Sequence, residues 1–248
     1  YGIKTGLNEA FQVNSETRDE LIKKDIRNSE LIVPLLRGRD IERYGYNFGN
    51  IYLINTYNGF LEKINNPDKN IVEEKNGTFS YKPENSKKWL KAKRIEHSKG
   101  AYYRIDRIIV ETDYPSIFEY LKKFETALRE REDQGNHWTN LRNCAYDDQF
   151  KADKLVWAET MRLHKTGNRN FPRFGFDNKK HYADKTVFIG VGEHLKYLLA
   201  VLNSSVGKWL IKEYVTKLDT GGYMMQKVFL DKIPIAEPDE KSEREIEK

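Results

Sequence analysis

The chain has 248 residues, with 43 lysines and arginines against 38 aspartates and glutamates and a formal net charge of +5. That mildly basic balance favours polyanionic partners, and the length allows one large core or two ordinary ones. The single cysteine, Cys144, excludes an intramolecular disulfide framework, and there is neither a membrane-length apolar run nor a secretory leader, so the chain reads as soluble and cytoplasmic with no membrane partner.

In chain order, Gly2 and Gly6 punctuate "GIKTGLNEAFQV", which predicts a strand, a tight turn and a second strand ending near Val13. Ser15 or Thr17 then caps a short helix over "RDELIKKD". The stretch "IVPLLRGRDIERYGY", residues 32–46, ends an apolar run with Arg37, Arg39 and Arg43 around Gly38 and Asp40. It predicts a strand anchored in the core, a close backbone approach at Gly38, and arginines that face outward or pair with Asp40 and Glu42. "IYLINTY", 51–57, has strand composition. From 58 to 103 periodicity is lost among turn signals such as "NNPDKN" and "EKNGTF", the pattern of an elaborated insertion.

"YRIDRIIVET" returns to strand composition, and Pro115 opens the clearest amphipathic helix, with Ile117, Leu121, Phe124 and Leu128 on one face. "KLVWAET", "RFGFD" and "TVFIGV" are further short strands. After them, Leu195, Leu198, Leu199 and Leu202, then Val206, Trp209, Leu210 and Tyr214, recur at helical spacing and predict two helices meeting at 203–205. Trp157 and Trp209 read as core, Cys144 as a small buried residue, and "DQGNHWTNLR" around Trp138 as a loop organising the helix end after Arg131. The fold class is therefore mixed, α+β: a mixed sheet, a central amphipathic helix and a C-terminal helix pair. One domain over 1–236, with the insertion at 58–103, would be followed by a helix start or linker at 237–248. The absent initiator methionine and the charged terminal run read as marks of a piece of a longer polypeptide.

Catalytic patterns are missing. His97, His137, His164, His181 and His194 are scattered without zinc spacing and read mostly as surface residues. The GxG in "GVGEH" lacks a third glycine in register, and neither a Walker loop nor a GxSxG elbow occurs. Asp68, Glu73 and Lys75 imitate the letters of a magnesium nuclease at a spacing too short for its strands.

Positive charge concentrates in two aromatic-bearing segments. Residues 87–107 hold Lys87, Lys88, Lys91, Lys93, Arg94, Lys99, Arg104 and Arg107; residues 161–180 hold Arg162, Lys165, Arg169, Arg173, Lys179 and Lys180. Such runs neutralise backbone phosphates without reading sequence, and each reads equally well as a solvated face. Base reading needs planar donors and amides, and Asn168, Asn170 and Arg173 are suitable types.

Six stretches in order, "GIKTGLNEAF", "LIVPLLRGRDIERY", "DYPSIFEYLKKFETALRERED", "DQGNHWTNLRNCAYDDQFKADKLVWAE", "YLLAVLNSSVGKWLI" and "FLDKIPI", resemble the TaqI-like specificity domain at the C-terminal end of adenine-specific restriction-modification methyltransferases. The resemblance runs nearly end to end apart from 58–103. It implies duplex DNA as a partner, together with an upstream methyltransferase domain of the same polypeptide that binds S-adenosylmethionine, with magnesium if a nuclease is fused. This chain carries no NPPY-like tetrapeptide, so alone it is expected to bind no cofactor and to catalyse nothing. The resemblance places Arg37, Arg39 and Arg43 at scaffold or phosphate and puts base reading in "TKLDTGGYMMQK", a connection leading to a C-terminal strand. There Lys217, Tyr223, Gln226 and Lys227 join Lys87, Lys88, Arg162, Lys165, Arg169, Asn170, Arg173, Lys179 and Lys180 as expected DNA contacts. Two rival readings remain at this stage: a protein interaction module using the helices at 115–131 and 193–216, and a nuclease built on Asp68, Glu73 and Lys75.

Overall fold

A computed structural model describes residues 1–62, 71–74, 78–82, 89–97, 100–163, 170–219, 221–239 and 245–246, without the side chains of 60–62, 95–97 and 100–102. The chain folds as two units, an N-terminal one of Lys4–Val33 and Tyr52–Asp147 and a C-terminal one of Tyr1–Ile3, Pro34–Ile51 and Asp148–Lys248.

The N-terminal unit opens with α1 (Asn8–Phe11), β1 (Gln12–Asn14) and α2 (Ser15–Lys24). Only the last piece of the predicted strand-turn-strand is a strand, because Ala10 and Phe11 bury together from one helical turn. The cap of α2 is Asn14, one residue ahead of the predicted Ser15, its side chain accepting from the Thr17 N–H at 2.9 Å. The apolar run forms β2 (Ile32–Leu36), and β3 (Ile51–Ile54) lies between β1 and β2.

The described residues of the aperiodic stretch include a five-stranded antiparallel sheet of β4 (Phe60–Glu62), β5 (Ile71–Glu73), β6 (Phe79–Tyr81), β7 (Leu90–His97) and β8 (Gly100–Ile105), in the order β4-β8-β7-β6-β5. Its own core comprises Ile71, Tyr81, Leu90, Ala92, Tyr103 and Ile105. Strands of three residues leave no room for a visible period of two; the longer β7, where Leu90 and Ala92 bury while Lys91 and Lys93 face water, and β8, where Tyr103 and Ile105 bury about an exposed Arg104, do alternate.

Strand composition beyond Ile105 is overridden: α3 (Val110–Asp113) is helical, and Glu111 on it pairs with Arg107 at 3.3 Å. The amphipathic helix is broken into α4 (Pro115–Lys122) and α5 (Glu125–Glu130) at Phe124, whose N–H bonds the Leu121 carbonyl at 2.9 Å. Ile117, Leu121 and Leu128 still share a fully buried face. "DQGNHWTNLR" does organise the helix end: buried Arg131 donates to the carbonyls of Thr5 at 2.6 Å, Trp138 at 3.1 Å and Asn140 at 2.5 Å, and lies over the Phe11 ring. Burial pulls its pKa down to about 10. Arg131→Met is expected to cost about 3 kcal/mol in urea unfolding, because three inward carbonyls lose their donor; a change below about 0.5 kcal/mol would show those carbonyls to be solvated.

In the C-terminal unit β9 (Lys154–Ala158) is followed by β10 (Thr160–Met161), β11 (Phe174–Asp177), β12 (Tyr182–Ala183), β13 (Val187–Gly190), α6 (Leu195–Asn203), α7 (Ser205–Tyr214), β14 (Tyr223–Met224) and α8 (Lys227–Leu230). The second half of β2 pairs in parallel with β12, and β9 is the centre of an antiparallel β11-β9-β13 sheet. The helix pair meets where predicted, with the Ser204 hydroxyl accepting from Gly207 N–H at 3.0 Å. Gly207 is required there, since a Cβ would meet the Val201 carbonyl at 2.2 Å. Leu155, Trp157, Phe174, Phe188, Leu210, Ile211 and Met225 form the core.

Four expectations fail. "FLDKIPI" gives a turn of helix, α8, and no strand, because Gln226 caps it and Pro234 follows. Trp209 stands 59% exposed on α7, the buried positions Gly207, Leu210 and Ile211 taking the inward face. Cys144 is only half-buried, and His181 is buried. Most of 237–248 lies outside the described residues.

Candidate nucleic-acid interface

The three arginines of "LLRGRDIERY" have separate fates. Arg37 binds Asp40 through Nε at 3.0 Å and Nη2 at 2.9 Å, while its own N–H bonds the same carboxylate at 2.9 Å. That closed, largely buried pair ties the Nε–Nη2 edge of Arg37 to Asp40. Gly38 donates to the Thr186 hydroxyl at 2.9 Å, and a Cβ there would crowd Thr186 at 3.0 Å, which is the close approach expected of it. Arg39 is exposed. Arg43 is exposed too, but its Nη2 donates to the Asn203 carbonyl at 2.5 Å.

The second basic segment and the polar loop before α8 are far apart in sequence and meet in the fold. β10 pairs with β14, Thr160 opposite Met224 and Met161 opposite Tyr223. Met225 N–H bonds the Glu159 carbonyl at 2.7 Å, and Trp157 Nε1 donates to the Met225 carbonyl at 2.8 Å, fixing the end of the loop to β9. Lys217 bridges back to Tyr223, so the loop is a narrow hairpin. Gly222, at φ 134°, lets it press on its neighbour: a Cβ would lie 2.7 Å from the Met161 carbonyl and 2.9 Å from Arg162 Cα.

Tyr223, expected at the DNA, is instead 5% exposed and stacks on Phe171 with ring centres 5.0 Å apart, so apolar burial has made it the clasp between the two segments. Arg173 is half-buried, and its guanidinium donates to the carbonyls of Arg162 and Asn170, each at 3.4 Å; burial lowers its pKa. Arg162, Asn170 and Lys217 are exposed around it, and Gln226 is half-buried at the cap of α8. Lys227 is exposed and pairs with Asp231 on α8.

Lys179 and Lys180 sit on an exposed turn directly after β11, with Lys180 in the left-handed region at φ 60°. The turn is wound around one buried carboxylate. Asp177 accepts from Lys179 N–H at 3.0 Å, from His181 N–H at 3.0 Å and from Tyr46 Oη at 3.1 Å, meets His181 Nδ1 at 2.9 Å, and pairs with Lys154 Nζ at 2.7 Å. Lys154 and Asp177 are both 0% exposed, and the ammonium also donates to the Phe150 and Ala152 carbonyls. Burial first, then the Asp177 charge, pushes the Tyr46 phenol above its usual range. Nothing in "KLVWAET" distinguishes Lys154 from a surface lysine; only the meeting of β9 and β11 does.

In the N-terminal unit Lys91, Lys93 and Arg104 face water, and Lys93 stands directly opposite Arg104 across β7 and β8. Like charges in that relation destabilise a sheet. Lys87, Lys88, Lys165 and Arg169 lie outside the described residues, as do Asp68 and Lys75 of the nuclease reading, while Glu73 is exposed on β5. Among the described residues no group of three His, Cys, Asp or Glu could hold a metal ion, and no helix is long and apolar enough to cross a membrane.

A mixed α+β scaffold that presents cations and amides on paired loops, above a core of strands and helices, defines a specificity domain of the kind that recognises DNA sequence in restriction-modification enzymes. The chain belongs to the family of TaqI-like C-terminal specificity domains, whose family model matches residues 33–235. Comparison with curated proteins returned no match.

Proposed function

We propose that this domain selects a short double-stranded DNA sequence for an adenine-N6 methyltransferase of a restriction-modification system. The methyltransferase domain of the same polypeptide would take the methyl group from S-adenosylmethionine, and a fused nuclease would use magnesium. One observation carries the reading: the β10·β14 pair sets Met161, next to Arg162, opposite Tyr223, which bridges to Lys217, while Arg173 donates to the carbonyls of Arg162 and Asn170. Cations on that surface suit phosphates, and the amides of Asn170 and Gln226 suit base edges. Gly221 and Gly222, at φ 82° and 134°, let the hairpin turn in a conformation that side chains rarely adopt.

Selection from a random duplex pool tests it, and a single enriched sequence is the expected result. On that sequence Gln226→Ala is expected to lose about 1–3 kcal/mol of discrimination at one base pair. Equal weakening on enriched and scrambled duplexes would remove Gln226 from the reading set. The interaction-module reading draws support from Val206 and Trp209, which stand exposed three residues apart on α7; a domain that gains no affinity for duplex DNA at low salt would favour it.

A further inference from the structure

Tyr44 occupies the left-handed region at φ 72°, while its neighbour Gly45, which would adopt that conformation at no steric cost, does not. A bulky side chain held there is strained, and such strain persists where the surroundings over-determine it. The backbone provides the constraint: Tyr44 N–H bonds the Phe174 carbonyl at 2.7 Å, Glu42 N–H bonds the Gly45 carbonyl at 3.0 Å, and Tyr44 bridges in parallel to Gly175. Gly175 has to lack a Cβ, which would meet the Gly45 carbonyl at 2.3 Å.

None of this uses the tyrosine ring, which is 50% exposed. What the ring does have is Arg43, whose guanidinium carbon lies 5.2 Å from its centroid. That guanidinium is steadied by the Asn203 carbonyl. Asn203 is in turn fully buried and gripped on both sides by Phe174, accepting from its N–H at 3.0 Å and donating to its carbonyl at 2.9 Å. The cation and the backbone that carries the aromatic are thus held before any ligand arrives, both through Phe174, which directly follows Arg173.

We propose that Arg43 and Tyr44 form a preset platform on which one unstacked nucleobase of the bound DNA stacks. The inference rests on the DNA-binding reading and adds to it a base held by its flat face. A half-exposed ring with a guanidinium already near it suits a nucleobase attached to phosphate better than it suits an apolar side chain. Base–aromatic stacking is tolerant of sequence, so the site would serve whatever sequence the loops select.

The test compares a fully paired duplex with the same duplex carrying a single-base bulge, using the whole chain as wild type, Tyr44→Phe and Tyr44→Gly. Wild type is expected to prefer the bulged duplex by about tenfold, Tyr44→Phe to keep that preference, and Tyr44→Gly to lose it. Because glycine relieves the strain, Tyr44→Gly should also melt about 2 °C higher than wild type. An unchanged preference in Tyr44→Gly, a lost one in Tyr44→Phe, or a lower melting temperature in Tyr44→Gly overturns the platform. Wild type that binds neither duplex overturns the DNA reading itself.

Discussion

Asp177→Ala is expected to lower stability by about 3–5 kcal/mol, because removing one partner of a buried ion pair leaves the other charged and unpaired. Lys154 would keep two carbonyl acceptors and lose the one counter-charge it has among the described residues, in a site with no exposure. The same change frees the N–H groups of Lys179 and His181, so the turn that presents Lys179 and Lys180 should loosen as the protein weakens. Burial by itself would raise the Asp177 pKa, but hydrogen bonds from His181 and Lys154 and the lysine charge outweigh it and hold the carboxyl well below the carboxylate range. The sign follows from a depressed folded value. The stabilisation is complete above the unfolded pKa of about 3.9 and is lost as pH falls from there through the folded pKa. Urea unfolding of wild type and Asp177→Asn should therefore show a wide gap at pH 7 that narrows below about pH 4. A gap that widens as pH falls would mean the carboxylate is not what stabilises the turn.

How much of this was legible depends on whether a residue's role is local. The helix pair was readable because apolar residues at helical spacing on either side of 203–205 are a property of neighbouring residues, and α6 and α7 follow. Gly38 was readable only as a place for close approach; the residue it approaches, Thr186, lies 148 positions on. The five-stranded sheet was not, since its short strands share a core only after pairing. Trp209 was assigned to the wrong face because an aromatic at helical spacing has no sign for inside or outside; Gly207, Leu210 and Ile211 decide it. The candidate interface divides likewise. Its cation-rich segments were visible as composition, whereas the Tyr223–Phe171 clasp, the Lys154–Asp177 pair and the strained Tyr44 arise from contacts across tens of residues. Asn203 stood in plain view within "LNSSVGKW", yet its grip on Phe174 needs β11 alongside.

Salt should weaken DNA binding steeply. Arg39, Arg162, Lys179, Lys180 and Lys217 are exposed in the C-terminal unit and make no ion pair among the described residues, whereas Arg37 is closed on Asp40 and Lys227 on Asp231. If all five meet phosphates, counterion release at about 0.9 per contact gives a slope near −4.5 in log affinity against log salt, or about 500-fold between 50 and 200 mM. Lys179→Ala with Lys180→Ala should flatten that slope by about 1.8 and weaken enriched and scrambled duplexes alike, since phosphate contacts carry no sequence. Gln226→Ala should leave the slope where it was, because an amide releases no counterion. The two variants thus separate grip from reading on one instrument, anisotropy titration across salt. A slope near zero in wild type, or one indifferent to the loss of both lysines, would mean the exposed cations of this unit serve solubility and not a duplex.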